Sequence, residues 1–568
     1  MISYCSGITT GGAENSPQKL IDEKILELEE CIRRFKSQRN QFAPVSRLPP
    51  EVLSTIFSYA ASHSEYPTLN LLYRYSFSHV SQTWRSVAIN APALWHVLPS
   101  SMLWAKVMIE RSKAVGLVIR LNLDHLSSVS PSVVFWNNVF RNHASRIRVL
   151  ELTGGSKSTL SALFNDLQPL SLPLHSLRLW LSSSEPLFTF PANIVETKNI
   201  RSLSVSGCNS TWYSSSLCCL TELNMQNISN RPRFDEFFDT LRRNPYLQIL
   251  DMGNSLPLAS ELIGSITSVN LPRLRRLRLS STKNIKEISD ILPSIVIPST
   301  ATVTLYCGSQ GSVPDGLIHL PSSLSAFFAA MQPKYTHVDI CAAMSPLQVL
   351  ASEANRGTRS TLSNVHHETS ELDLTIDPGT PRNFQRLLKE IFPSLPLLNI
   401  TSLTLQMEPA DVLMKETLRN LSQLRSITTI GNCTFNLIDA LMHKPRHYYK
   451  KASAFYSVSF PALRSLCIKD AICGPGRIDL LRDCLMERYE RKAELTELKL
   501  DGCYEVYSDD VAHLREIVVN VDWDEWEREE TEPSPYEEDF DSEDYGCYCG
   551  NYQHDGYDSA SFDTYPFF

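Results

Sequence analysis

The chain has 568 residues, 43% of them hydrophobic and 20% charged. That length exceeds what one hydrophobic core spans, so several domains or an elongated repeat array is expected, and the composition is that of an ordinary folded protein. The formal charge of -9 is unevenly spread: from Asp522 onward sixteen acidic residues accompany one base, Arg528, giving -15 and leaving +6 for residues 1–521.

The first twenty residues, which include Gly11-Gly12, lack the apolar run of a secretory signal. No stretch reaches the roughly 18 apolar residues that a membrane helix needs. Fourteen cysteines are too sparse for a disulfide scaffold, so reduced thiols in cytosol or nucleus are expected. Cys218-Cys219 and Cys547-Tyr548-Cys549 have no second Cys/His pair at zinc-finger spacing, and no metal or cofactor is expected.

The first predicted element is a helix over 20–39, where Ile21, Ile25, Leu28, Ile32 and Phe35 recur at alternating spacings of four and three. About two heptads fall short of the three or four of a coiled coil, so the stripe is expected to pack on its own chain or to fray, with dimerisation as the alternative. Pro44 then stops the helix, because proline has no amide to donate. Ser46 is a candidate cap for the next helix, whose first turn accepts Pro49 and Pro50 without losing a hydrogen bond.

From Leu48 the order is distinctive. Leu48-Pro49-Pro50-Glu51-Val52-Leu53 is followed by Ile56-Phe57, and a polar, turn-like stretch, 62–67, leads to a second helical run with Leu71, Leu72, Phe77, Val80 and Trp84. The segment closes on Asn90-Ala91-Pro92-Ala93-Leu94-Trp95. Any buried helical hairpin carries Leu, Ile and Trp at such spacings, but this ordered series resembles an F-box. The resemblance covers about a tenth of the chain, residues 46–99. It implies a small all-α module that docks onto a Skp-type adaptor of a cullin–RING ubiquitin ligase, with Leu48, Pro49, Val52, Ile56, Phe57, Val80 and Trp84 as the adaptor contacts. For Trp84, packing inside the module is an equal alternative. Ser81-Gln82-Thr83-Trp84 departs from the Cys-Arg-x-Trp or Cys-Lys-x-Trp of many members, which leaves the apolar contacts and removes a base.

Downstream another period takes over. Leu-x-x-Leu-x-Leu, with Ile, Val or Met allowed, recurs as Ile147/Leu150/Leu152, Leu174/Leu177/Leu179, Ile200/Leu203/Val205, Leu220/Leu223/Met225, Leu247/Leu250/Met252 and Leu274/Leu277/Leu279. Looser copies follow at Tyr335, Ile400, Leu463, Leu495 and Leu514. Starts about 20–27 residues apart fall in the leucine-rich-repeat range. Helical returns are expected around Phe234–Leu241, Phe384–Ile391 and Ile478–Leu485. A compact α/β domain would also give leucine-rich runs; the recurring three-position spacing argues for stacked repeats. The expected fold is therefore α/β. Its parts are an N-terminal tail and amphipathic helix (1–45), an F-box-like module (46–99), an irregular leucine-rich-repeat solenoid with a curved parallel sheet and helical returns (100–521), and a disordered acidic tail (522–568).

No phosphate loop, zinc-protease helix or nucleophile elbow is present, and the expected role is recruitment rather than catalysis. The resemblance implies a Skp-type adaptor and a cullin scaffold as partners, with a protein substrate on the repeats and no membrane. Exposed strand positions would bind the substrate, and Arg275, Arg276 and Arg278 could attract an acidic or phosphorylated one; a solvated strand edge is the alternative. His366-His367 and the basic, aromatic stretch 443–451 read as surface loops, the latter against a nucleic-acid site. A leucine-rich scaffold whose first helices only cap the repeats is the alternative function.

Overall fold

The computed structural model describes residues 17–62, 75–124, 126–164, 172–181, 188–189, 199–209, 217–257, 268–308, 316–342, 346–353, 370–377, 389–407, 421–431, 433–442 and 459–527. Residues 63–74, with Leu71 and Leu72, lie outside the described residues. So do Phe384, Leu387 and Leu388, the pair His366-His367, the basic stretch 443–451, Cys547 and Cys549, and the acidic tail beyond Glu527.

Helix α1 (Pro17–Gln41) forms where the apolar stripe places it, but none of its residues is buried, so the expectation that it packs on its own chain is overturned. A short 3-10 turn, Pro44–Arg47, separates it from α2 (Pro50–Ser62). Ser46 does not cap α2. Its hydroxyl donates to the Asn40 carbonyl at 2.6 Å, tying back the end of α1. A second 3-10 turn, Ser76–His79, precedes α3 (Gln82–Ile89), and a third, Pro92–Trp95, leads into the two-residue strand β1 (Val97–Leu98).

Beyond the module the chain lays down β2 (Leu117–Asn122), β3 (Ile147–Thr153), β4 (Ser176–Trp180), β5 (Ser202–Ser206), β6 (Glu222–Gln226) and β7 (Ile249–Gly253). β8 (Val269–Asn270) and β10 (Ile295–Val296) form a separate parallel pair on either side of β9 (Arg276–Ser281) in sequence. There follow β11 (Thr302–Cys307), β12 (His337–Ala342), β13 (Leu347–Ser352), β14 (Leu372–Ile376), β15 (Ser402–Met407), β16 (Ser426–Ile430), β17 (Ser465–Lys469), β18 (Glu497–Asp501) and β19 (Asn520–Trp523). Seventeen of these make one sheet.

The leucine spacing dictates how the strands align. From β4 to β7 and in β9 the paired apolar positions point to one face, and successive pairs stay in register: Leu177 opposite Leu203, Leu203 opposite Leu223, Leu223 opposite Leu250, and Leu250 opposite Leu277. These side chains are 0–1% exposed, so the rows form a continuous seam of core. Helical returns cover that seam. Helix Phe234–Arg243 buries Phe234, Phe237, Phe238 and Leu241, and helix Pro475–Glu490 buries Ile478, Leu481, Cys484 and Leu485. Among the described residues no helix is long and apolar enough to cross a membrane.

One region departs from simple stacking. β11 pairs with β9 and β14, β14 with β13, β13 with β12, and β12 with β15; β13 runs antiparallel to both neighbours while the other pairings in the large sheet are parallel. The chain thus skips two places after β11, turns back twice, and fills the gap before continuing. The loose leucine spacing between 280 and 400 reflects this inversion. At the C-terminal end, Leu514 and Ile517 lie in helix Ser508–Ile517, so the copy expected at Leu514/Ile517/Val519 is a helical return. Among the described residues the last strand is β19, which runs through Asp522 and Trp523, past the expected boundary at 521/522.

Candidate adaptor-docking face and the open face of the sheet

Helix α2 carries two apolar stripes. Leu53, Phe57 and Ala61, four residues apart, face inward at 2%, 1% and 7% exposure. Phe57 stacks on Phe77 with ring centroids 4.5 Å apart and lies 5.1 Å from the Trp84 ring. Tyr75 stacks on Trp95 at 5.0 Å, and the Trp95 indole N–H donates to the Ala88 carbonyl at 2.8 Å. A small module is thereby filled by five aromatic rings, each polar edge of Trp95 satisfied before burial.

The second stripe, Val52, Ile56 and Tyr59, has spacings of four and three and faces outward, with Ile56 45% and Tyr59 65% exposed. Pro49 is exposed ahead of it, and Val80 is exposed just before α3. Leu48 and Trp84 are half-buried and pack against the core. Of the seven residues named from the sequence, the structure therefore leaves Pro49, Val52, Ile56 and Val80 on the surface, places Leu48 and Trp84 at its edge, and puts Phe57 inside. Tyr59 was missed, although its spacing from Ile56 and Val52 was readable.

Ser81 has a local job. Its backbone is extended and its hydroxyl accepts from the Trp84 amide at 3.1 Å, capping α3. Arg85 donates to the Ser78 carbonyl at 3.2 Å, which fixes the turn before that helix.

The module is joined to the sheet without a linker. β1 pairs in parallel with β2, Val97 opposite Val118 and Leu98 opposite Ile119. The Arg111 guanidinium lies 4.6 Å over the Trp95 ring, and burial, with Arg85 nearby, lowers its pKa from the ordinary value. Core residues from Leu53 to Val518 form a single hydrophobic cluster.

On the face of the sheet opposite the leucine seam, polar side chains line up in the same register. Arg120, Glu151 and Arg178 occupy neighbouring strands, with Arg120–Glu151 at 3.0 Å and Arg178–Glu151 at 3.9 Å. Further along, Asp251 lies opposite Arg278. Gln226 donates to Asp251 at 2.7 Å and to Asn224 at 3.1 Å. Burial pushes the Asp251 carboxyl above its ordinary pKa, although Arg278, the Gln226 hydrogen bond and Arg276 act the other way. At the far end Lys499 pairs with Asp522 at 2.7 Å and Lys469 with Asp501 at 3.1 Å.

The arginine run is divided by this geometry. Arg276 and Arg278 alternate with buried Leu277 and Leu279 and point to the open face. Arg275 is exposed ahead of the strand, its amide donating to the Gln248 carbonyl, and Arg273 lies 4.6 Å over the Tyr246 ring. Arg178, by contrast, is occupied by Glu151, and Ser204 is buried, accepting from Trp180 at 2.9 Å. Among the described residues no group of three or more His, Cys, Asp or Glu side chains is placed to hold a metal ion. Cys208 and Cys503 are buried after β5 and β18, and burial pushes Cys208 up to about 12.

Residues 45–98 match the family model described as F-box-like. That segment is the module that holds the two-faced α2 and α3. No curated protein matches the chain. Among solved structures it is similar to a chain of the yeast complex titled "Crystal structure of Rad7 and Elc1 complex in yeast", at 11% identity over 90% of this chain and 92% of that one, with a TM-score of 0.17 that carries no argument.

Proposed function

We propose that this chain is the substrate-recruiting subunit of an SCF-type cullin–RING ubiquitin ligase, holding a Skp-type adaptor at its N-terminal module and a protein substrate on its sheet. The observation that carries the reading is the outward stripe of α2, where Val52 and Ile56 are 43% and 45% exposed and Tyr59 continues the same face, inside the segment that matches the F-box-like family. Pro49, Val52, Ile56, Tyr59 and Val80 make the adaptor contact, edged by Leu48 and Trp84. The inward stripe and Phe57 hold the module together.

The sheet and its returns are read as an irregular leucine-rich-repeat solenoid, supported by the recurrent spacing and by the unbroken register of the leucine rows. Its open face receives the substrate, and Arg276 and Arg278 favour an acidic or phosphorylated one through charge-assisted hydrogen bonds. The cullin scaffold and a cytoplasmic or nuclear site of action follow from the same reading. The contribution to ubiquitin transfer is proximity, not catalytic groups.

A second reading, a repeat scaffold without ligase role, is favoured by the way β1 and Trp95 join the module to the sheet. The two readings use opposite faces of α2, so capping the sheet and docking an adaptor are compatible. Affinity capture followed by mass spectrometry separates them. The ligase reading expects adaptor and cullin with wild type, loss of both with Ile56→Asp, and retention of both but loss of substrate with Arg276→Glu/Arg278→Glu. Capture of proteins on the sheet with no adaptor or cullin supports the scaffold instead.

A further inference from the structure

Among the described residues, helix α1 is formed but buries none of its apolar stripe. Ile21, Ile25, Leu28, Ile32 and Phe35 make one stripe along it, 48–66% exposed, and none of its 25 residues is buried. At about 1.5 Å per residue the helix is about 38 Å long, longer than the sequence stripe suggested. The alternating spacing assigns Ile25 and Ile32 to position a of a heptad and Ile21, Leu28 and Phe35 to position d. Isoleucine at both a positions, with Leu28 at the central d position, is the combination that favours two parallel strands.

The flanking charges agree. Lys24 falls at position g and Glu29 at the e position five residues on, which is where g of one strand meets e of the other in a parallel, in-register pair. Each pair of copies would therefore gain two opposite-charge contacts. An antiparallel pair centred on Leu28 would set Glu29 against Glu29. In the single chain Lys24 pairs with Glu27, and Glu30 with Arg33 and Arg34, contacts that lie off the apolar stripe.

We propose that the occupant of this stripe is α1 of a second copy of the chain, so that the protein is a homodimer joined by a parallel two-stranded coiled coil ahead of the module at 45–98. Arg39, at the next a position, closes the apolar seam after Phe35. The proposal does not depend on the ligase reading, because α1 lies outside the adaptor stripe.

Sedimentation equilibrium of the full chain at micromolar concentration tests it. Wild type should sediment at twice the chain mass of 64.2 kDa, and Ile25→Asp/Leu28→Asp should sediment at the single-chain mass with an unchanged thermal unfolding midpoint. Orientation is read from charge reversal: Lys24→Glu and Glu29→Lys should each raise the dimer dissociation constant several-fold, and the double variant should restore it. A monomeric wild type, a trimer, or a dimer indifferent to aspartate at 25 and 28 overturns the proposal. Indifference to both charge reversals overturns the parallel arrangement.

Discussion

Ile56 and Phe57 are adjacent in the chain and belong to different interfaces. The helical period turns Phe57 onto Phe77 and Trp84 and leaves Ile56 in solvent. Phe57→Ala removes a fully buried ring and should destabilise the module by about 3–5 kcal/mol, seen as a lowered thermal midpoint. Ile56→Asp should leave the midpoint unchanged. Asp251 offers a pH test. Its folded pKa lies above its ordinary 3.8, so the folded state binds the proton more tightly than the unfolded state. Stability should therefore rise as pH falls from neutral through that raised value, the gain being complete once pH passes below 3.8. Asp251→Asn keeps the acceptor for Gln226 and should flatten this part of the Tm–pH profile without lowering Tm at neutral pH; a profile unchanged by the substitution contradicts the account.

At the scale of elements, a buried ion pair ties two helical returns together. Arg231, ahead of helix Phe234–Arg243, meets Glu287, in helix Lys286–Ile291, at 2.6 Å, with both side chains at most 15% exposed, and Ser281 donates to the second carboxylate oxygen at 2.9 Å. Arg231→Met leaves Glu287 charged and buried and should cost about 3–5 kcal/mol in chemical denaturation. Arg231→Met/Glu287→Leu should recover much of that loss. Neither partner was legible as a pair, because 56 residues separate them. The strands were easier to read where both core positions are large and apolar, as in β4 to β7. β16 escaped because Thr429 takes the place of the second leucine; it is fully buried, and its hydroxyl accepts from Thr434 at 2.9 Å. β2 and β11 lack the first leucine of the pattern, and the antiparallel course of β13 is set by pairing across the sheet, which no local spacing encodes. In the module the order of apolar residues was readable, but which face each one takes was decided by packing of Phe57 against Phe77 and Trp84.

For the whole molecule, the two rows of leucines and the N-terminal module share one core. β1 gives β2 its outer neighbour, and His96 accepts the Val118 amide at 2.9 Å. Removing residues 46–99 should therefore uncover a strand edge and lower the thermal midpoint of the sheet, with increased hydrogen exchange concentrated in β2 and β3. Unchanged protection there would show that the module is an independent appendage. A change at Ile56 on the outward stripe of α2 should have no such effect, since that side chain is 45% exposed and lies outside the buried core.

The separation of these two faces makes adaptor binding the decisive observation. Titrating purified Skp-type adaptor into the full chain by calorimetry should give saturable, one-to-one binding per chain for wild type, and none for Ile56→Asp at an unchanged thermal midpoint. A wild type that binds no adaptor, or an Ile56→Asp variant that binds as tightly as wild type, would contradict the account.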